Sequence, residues 1–186
     1  MQFEVDIITS LQKVASPALT VFFQIISLLG SYLGFIILLL AFFMLNKKFS
    51  YVFGICFLSG VGLNYLLKTI IARPRPYVSH PEIQNLTDTL GNSMPSSHAL
   101  CVVVLSVFLC YYVFKSTKSP LWRTITVSAS VVMIALTWTS RLYLGMHYLT
   151  DILVGAIIGV VISALGIIYL EIKEKKRKQN DLLISQ

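Results

Sequence analysis

Residues 151–178 read DILVGAIIGVVISALGIIYLEIKEKKRK. From Ile152 to Leu170 no side chain carries a charge, and the run then breaks into Lys173, Lys175, Lys176, Arg177 and Lys178. About 20 apolar residues in helical form cross the hydrocarbon of a bilayer, and lysine and arginine gather on its cytoplasmic side. The stretch therefore predicts a spanning helix stopped by a basic tail. Working outward, similar runs occupy Leu121–Thr139, Ala99–Phe114, Tyr51–Ile71 and Gly30–Leu45. The expected fold is all-α, a polytopic membrane bundle of five to six transmembrane helices. Before them, Phe3, Ile7, Leu11 and Val14 recur at helical spacing, and Pro17 interrupts the pattern. Residues 3–28 read as one or two helices lying along the membrane interface, followed by a turn at Gly30-Ser31. A separate short crossing at Ala18–Leu29 is the six-span alternative.

Composition points the same way. Of 186 residues, 56% are hydrophobic and 12% charged, with a mean hydropathy of +0.78. A soluble domain needs more polar surface than this, so lipid is the expected solvent. The length fits a single domain over residues 1–186, with a tail at about 171–186. A net charge of +7 could suit nucleic acid, but the basic residues cluster at the ends of apolar runs, as topology signals do. Cys56, Cys101 and Cys110 lie inside apolar stretches without metal-like spacing and read as small hydrophobes. The acidic N-terminus lacks a basic region, so the first span is expected to direct insertion rather than a cleaved leader.

Five spans sort the loops into two sets. Lys47, Lys48, Lys115, Lys118, Arg123 and the five basic tail residues fall on one side, which the charge rule makes cytoplasmic. Lys13, Lys68, Arg73, Arg75 and Arg141 fall on the other. That outer side also holds the long connection from about Ala72 to Ser97, broken by Pro74, Pro76, Pro81 and Pro95. Loops of this length are commonly functional.

Three clusters there carry the unusual polar residues. Lys68 stands near the end of an apolar helix, and the pairs Arg73-Pro74 and Arg75-Pro76 stop that helix and aim two guanidinium forks suited to phosphate. Met94-Pro95-Ser96-Ser97-His98 precedes an apolar run; serine there caps a helix, and free amides at a helix start bind anions. Capping explains the serines and leaves His98 unexplained. In Ser140-Arg141…His147…Asp151, the last two are four apart, so on a helix they share a face and can hydrogen-bond. A carboxylate on one ring nitrogen leaves the other free as a nucleophile.

The chain resembles the type 2 phosphatidic acid phosphatase superfamily, whose signature is K-x6-RP, PSGH and SR-x5-H-x3-D. Those motifs read here as Lys68…Arg75-Pro76, Pro95-Ser96-Ser97-His98 and Ser140-Arg141…His147…Asp151, in the same order over residues 68–151. Ser97 departs from the family glycine; its amide remains, but its hydroxyl could narrow the pocket. The resemblance implies a membrane-embedded lipid phosphatase needing no cofactor and no metal. His147 would be the nucleophile, Asp151 would orient it, and His98 would act as general acid and base. Lys68, Arg75, Ser96, Ser97 and Arg141 would bind phosphate. Arg73 falls outside the spacing and is expected to touch a headgroup or support the site from behind. Tyr143 and Tyr148 read as interfacial aromatics, and His80, Glu82 and Asp88 as solvated loop residues.

The expected partners are the bilayer and a lipid phosphate or pyrophosphate, not nucleic acid. Undecaprenyl pyrophosphate, phosphatidylglycerol phosphate and phosphatidic acid are the substrates that the resemblance suggests. The expected location is the cytoplasmic membrane, with the site outside and the C-terminus in the cytoplasm. Competing readings are an ion- or proton-coupled transporter, a non-catalytic lipid-phosphate-binding protein, and a vanadium-dependent haloperoxidase. A proton relay should place ionisable groups at mid-bilayer, and haloperoxidases of that kind are soluble.

Overall fold

A computed structural model describes residues 2–87 and 89–184; their regular structure is helical throughout, with no strand among them. The helices are α1 (Gln2–Gln12), α2 (Pro17–Leu29), α3 (Tyr32–Leu45), α4 (Lys47–Ile71), α5 (Pro76–Ser79), α6 (Ser97–Ser116), α7 (Pro120–Tyr143) and α8 (Leu149–Ile184). Five stretches are long and apolar enough to cross a membrane: Pro17–Leu45, Lys47–Ser79, Ser97–Ser116, Pro120–Tyr143 and Leu149–Leu183. The protein is thus a multi-pass membrane bundle.

The first span is α2 and α3 together, broken at the expected Gly30-Ser31 turn. Ser16 caps α2 through its hydroxyl, which accepts the Leu19 amide at 3.3 Å, and Pro17 sits at the first helical position. Gly30 ends α2 where it touches α7: a Cβ there would lie 2.3 Å from Thr137 Oγ1. Residues 17–29 therefore pack on the protein instead of lying along the interface. At 13 residues, α2 reaches only about 20 Å and does not form a sixth crossing alone.

Helix α1 differs from its sequence pattern too. Its buried residues are Glu4, Val5 and Ile8, whereas Phe3 and Val14 are exposed. Val5 and Ile8 pack with Ile83, Leu142, Tyr148 and Ile152, so α1 seats one face on the end of the bundle where α7 stops and α8 starts. Gln12 extends the contact, donating to Gln84 O and accepting from Gln84 N, both at 2.9 Å, and so pins the connection between α5 and α6. In that loop His80 pairs with Glu82 at 3.7 Å; Asp88 lies outside the described residues.

Helix α6 is the axis of the bundle, buried continuously from Ala99 to Ser106 and again at Phe108. Without a hydrophobic drive between helices in lipid, close packing depends on small residues. Helix α8 supplies them: a Cβ on Gly155 would lie 2.3 Å from Ser96 O, and one on Gly159 2.9 Å from Leu100 O. A phenylalanine cluster, including Phe42, Phe49, Phe53, Phe57 and Phe108, fills the contact among α3, α4 and α6. An apolar cavity of about 210 Å³ between α3, α6 and α7 lies away from the polar residues described next.

Candidate active site

Antiparallel crossing brings the end of α4, the start of α6, the end of α7 and the start of α8 to one end of the bundle. Each termination has a local cause. Helix α4 stops at Ala72, whose φ of 49° is left-handed, just before the two Arg-Pro pairs. Helix α6 starts at the Ser96 cap, whose hydroxyl accepts the Ala99 amide at 3.4 Å. Helix α7 ends before Gly145, whose φ is +72° and whose missing Cβ would meet Gln84 O at 2.3 Å. That turn leaves His147 between helices, because α8 begins only at Leu149. His147 and Asp151 therefore do not share one helix face as the spacing suggested.

Their contact is correspondingly indirect. His147 Nδ1 lies 3.7 Å from Asp151 Oδ2, too long for a direct hydrogen bond. Ser93 stands between: its hydroxyl donates to Asp151 Oδ2 and lies 3.5 Å from His147 Nδ1. A Nδ1–H imidazole donating to Ser93, which donates to Asp151, leaves Nε2 with its lone pair. Among the described residues, none hydrogen-bonds to Nε2. Burial pushes the His147 imidazole down to about 4, outweighing the opposing pull of the Asp151 carboxylate, with Lys68 and Arg75 lowering it further. It is neutral at pH 7.

Asp151 is fully buried, and its Oδ2 also accepts the Tyr148 amide at 2.8 Å. Its Oδ1 receives Arg73 Nη1 at 2.5 Å, so Arg73 turns inward. The Tyr148 ring lies under the Arg73 guanidinium, 4.0 Å from its centroid, and Tyr148 is buried. Tyr143 is buried as well, its hydroxyl 3.0 Å from Thr20 Oγ1. Neither tyrosine is the interfacial anchor expected from sequence, because α1 and α2 cover them.

The other cations have distinct settings. Lys68 Nζ donates to Asn92 O at 2.8 Å and Ser93 O at 3.2 Å, so an ammonium on a spanning helix is satisfied by loop carbonyls with one proton to spare. Arg75 donates to Gly91 O at 2.9 Å and to Met146 O and Leu90 O at 3.2 Å, stitching the loop to the turn that carries His147. Two of its five N–H groups remain. Arg141 Nη1 is 3.5 Å from His98 Nε2, and Nη2 donates to Ser27 Oγ on α2.

Ser96 is buried, and its amide donates to Asp151 O at 2.9 Å, joining the start of α6 to α8. The Ser97 hydroxyl does not point at an open pocket. It donates at 2.6 Å to Asn64 Oδ1, and Asn64 Nδ2 donates to Pro95 O at 3.3 Å. Thus Lys68, Arg75, Ser96, Ser97, His98, Arg141, His147 and Asp151 all lie at this end, with Arg73 beside them. Sequence reasoning passed over Ser27, Asn64, Ser93 and Glu4. Asn64 alone carried a signal, an amide within an apolar run; the two serines and Glu4 look ordinary in sequence. Among the described residues no three His, Cys, Asp or Glu side chains form a cluster able to hold a metal ion.

Two curated relatives share sequence with the chain. The Arabidopsis thaliana lipid phosphate phosphatase delta is 32% identical over 125 residues, 61% of this chain and 28% of its own length. The Bacillus subtilis undecaprenyl-diphosphatase BcrC is 25% identical over 139 residues, 75% of this chain and 65% of its own length. The chain thus spans about a quarter of the plant relative and just under two-thirds of the bacterial one. Two crystal structures share the fold. The transmembrane PAP2 type phosphatidylglycerolphosphate phosphatase from Bacillus subtilis superposes with a TM-score of 0.78 at 24% identity, covering 91% of this chain and 85% of that one. Aquifex aeolicus LpxE gives 0.72 at 22% identity, covering 87% and 93%. The model of the PAP2 superfamily matches residues 47–175, which run from the first residue of α4 well into α8 and enclose every residue of the polar cluster except Ser27 and Glu4. By that match over most of its length, the chain belongs to the PAP2 superfamily.

Proposed function

We propose that this protein is a membrane lipid phosphatase working through a phosphohistidine intermediate. The observation that carries the reading is the neutral His147, held through Nδ1 with Nε2 free, beside Lys68, Arg75 and the start of α6. His147 Nε2 attacks the terminal phosphorus, and its bond to the leaving oxygen breaks, the lipid oxygen in a monoester or the bridging oxygen in a diphosphate. His98 gives that oxygen a proton, then takes one from the water that cleaves the P–N bond and releases inorganic phosphate. Asp151 holds His147 through Ser93. Lys68, Arg75, Arg141 and the Ser96 hydroxyl, with the amides at Ser97 and His98, bind the equatorial oxygens as charge builds on them. These cations supply the charge that a metal gives other phosphatases, so turnover is expected to survive chelation.

Names of relatives suggest lipid phosphates and undecaprenyl diphosphate as substrates. Sorting of Lys47, Lys48, Lys115, Lys118, Arg123 and the tail to the opposite end supports an outward-facing site and a cytoplasmic C-terminus in a cell membrane. A transporter would need ionisable groups along the spans; here the charged side chains of α4, α6, α7 and α8 gather near helix ends. The test is phosphate release by purified protein with EDTA from undecaprenyl pyrophosphate, phosphatidylglycerol phosphate and phosphatidic acid, beside His147→Ala. Release that survives EDTA and vanishes in the variant supports the reading. Absent release, or equal release by the variant, overturns it.

A further inference from the structure

We propose that helix α1 belongs to the catalytic apparatus: Arg73 keeps Asp151 ionised and aimed at Ser93 and His147, and Glu4 holds Arg73 in that position while sharing its charge. Both are positioning residues, and the inference rests on the phosphatase reading above.

Glu4 lies on the inward face of α1, its side chain 11% exposed. One carboxylate oxygen, Oε1, accepts the Thr150 amide at 2.8 Å and the Thr150 hydroxyl at 2.9 Å. Thr150 is the second residue of α8, whose early amides have no partner within the helix. Tyr148, just before α8, has no short acceptor to cap them, so Glu4 does so from another helix. The other oxygen, Oε2, lies 3.7 Å from Arg73 Nη2. Arg73 Nη1 donates to Thr150 Oγ1 at 2.7 Å and to Asp151 Oδ1 at 2.5 Å. One guanidinium therefore bridges two carboxylates, with its face on the Tyr148 ring.

This geometry differs from that of a headgroup contact, in which the fork would face the substrate. Asp151 has both oxygens committed, Oδ1 to Arg73 and Oδ2 to Ser93 and the Tyr148 amide. A fully buried carboxylate without a cation would take up a proton and lose its hold on Ser93. His147, Lys68, Arg75 and Arg73 are the titratable or charged groups that face Asp151, and Glu4 faces it across Arg73. Of these cations, only Arg73 touches the carboxylate. Glu4 shares the Arg73 charge, so the two should act on Asp151 with opposite signs.

The experiment is a pH–rate profile of full-length protein in detergent micelles containing phosphatidic acid, for wild type, Arg73→Gln, Arg73→Lys and Glu4→Gln, with thermal unfolding alongside. Arg73→Gln should lower kcat about tenfold or more with KM within about twofold, and move the acid limb upward by about one pH unit. Arg73→Lys should return the limb toward wild type while leaving kcat reduced, because an ammonium cannot bridge both carboxylates. Glu4→Gln should move the limb downward. Limbs that stay put while rates fall at all pH values, or a rise in KM alone, would overturn the proposal while leaving the phosphatase reading intact. If Arg73→Gln fails to fold, the downward displacement in Glu4→Gln, against a near-wild-type limb with reduced kcat in Arg73→Lys, decides. Wild type that releases no phosphate from phosphatidic acid or the two lipids named above overturns the phosphatase reading and this proposal with it.

Discussion

His147 owes its chemistry to burial more than to its neighbours. With its imidazole held down to about 4, the folded protein binds fewer protons than the unfolded chain, whose histidine titrates near 6.5. Stability from this group is therefore present above about pH 6.5 and is lost as pH falls toward 4. The gap corresponds to about 3 kcal/mol. His147→Gln should flatten the dependence of thermal unfolding on pH across that window; an unchanged slope would assign the acid sensitivity to other groups. Ser97 makes a second case. Its side chain is the family's missing-glycine position, and Asn64 has taken the extra hydroxyl. Asn64→Ala and Ser97→Gly should each cost about 1–2 kcal/mol, and the double variant about as much as Asn64→Ala alone. Additive losses in thermal unfolding would mean that the 2.6 Å contact contributes nothing.

At the scale of elements, two glycines in helices separate propensity from packing. Gly62 on α4 has nothing within 4 Å of where a Cβ would stand, whereas Gly155 on α8 would press one 2.3 Å from Ser96 O. Alanine is the better helix former by about 1 kcal/mol. Gly62→Ala should therefore raise the unfolding temperature and leave turnover unchanged. Gly155→Ala should lower both, because α8 must move away from the start of α6, where Ser96 and His98 stand. Equal effects of the two would show that α6 and α8 tolerate separation. The legibility of the helices follows the same divide. Apolar runs marked α4, α6 and α7 to within about four residues, since length and polarity depend on composition alone. They missed α2 as the first half of its span and the continuation of α8 through the basic tail. Which helix becomes the axis was not legible: α3 is more apolar than α6, yet it faces lipid along much of its length while α6 is buried. In lipid, hydrophobicity no longer sorts inside from outside.

For the whole molecule, orientation can be read without any assay of activity. Leu90 is 81% exposed in the loop beside the site, and Lys176 lies in the basic tail. In a background lacking the native cysteines, Leu90→Cys should react with a membrane-impermeant maleimide on intact cells, and Lys176→Cys only after permeabilisation. The reverse pattern would place the site in the cytoplasm and invert the charge-based topology.

The sequence alone determined the solvent, the helical class, the order of the spans and the convergence of three polar clusters at one end. Each follows from local quantities: run length, proline position, charge at helix ends and residue spacing. Tertiary structure alone decided the contacts that couple those clusters. Ser93 stands between His147 and Asp151, Asn64 takes the Ser97 hydroxyl, Ser27 receives Arg141, and Glu4 meets Arg73. These partners lie from 33 to 114 positions apart, so no periodicity records them. Their pairing depends on how closely the helices pack, which Gly30 and Gly155 permit but do not specify.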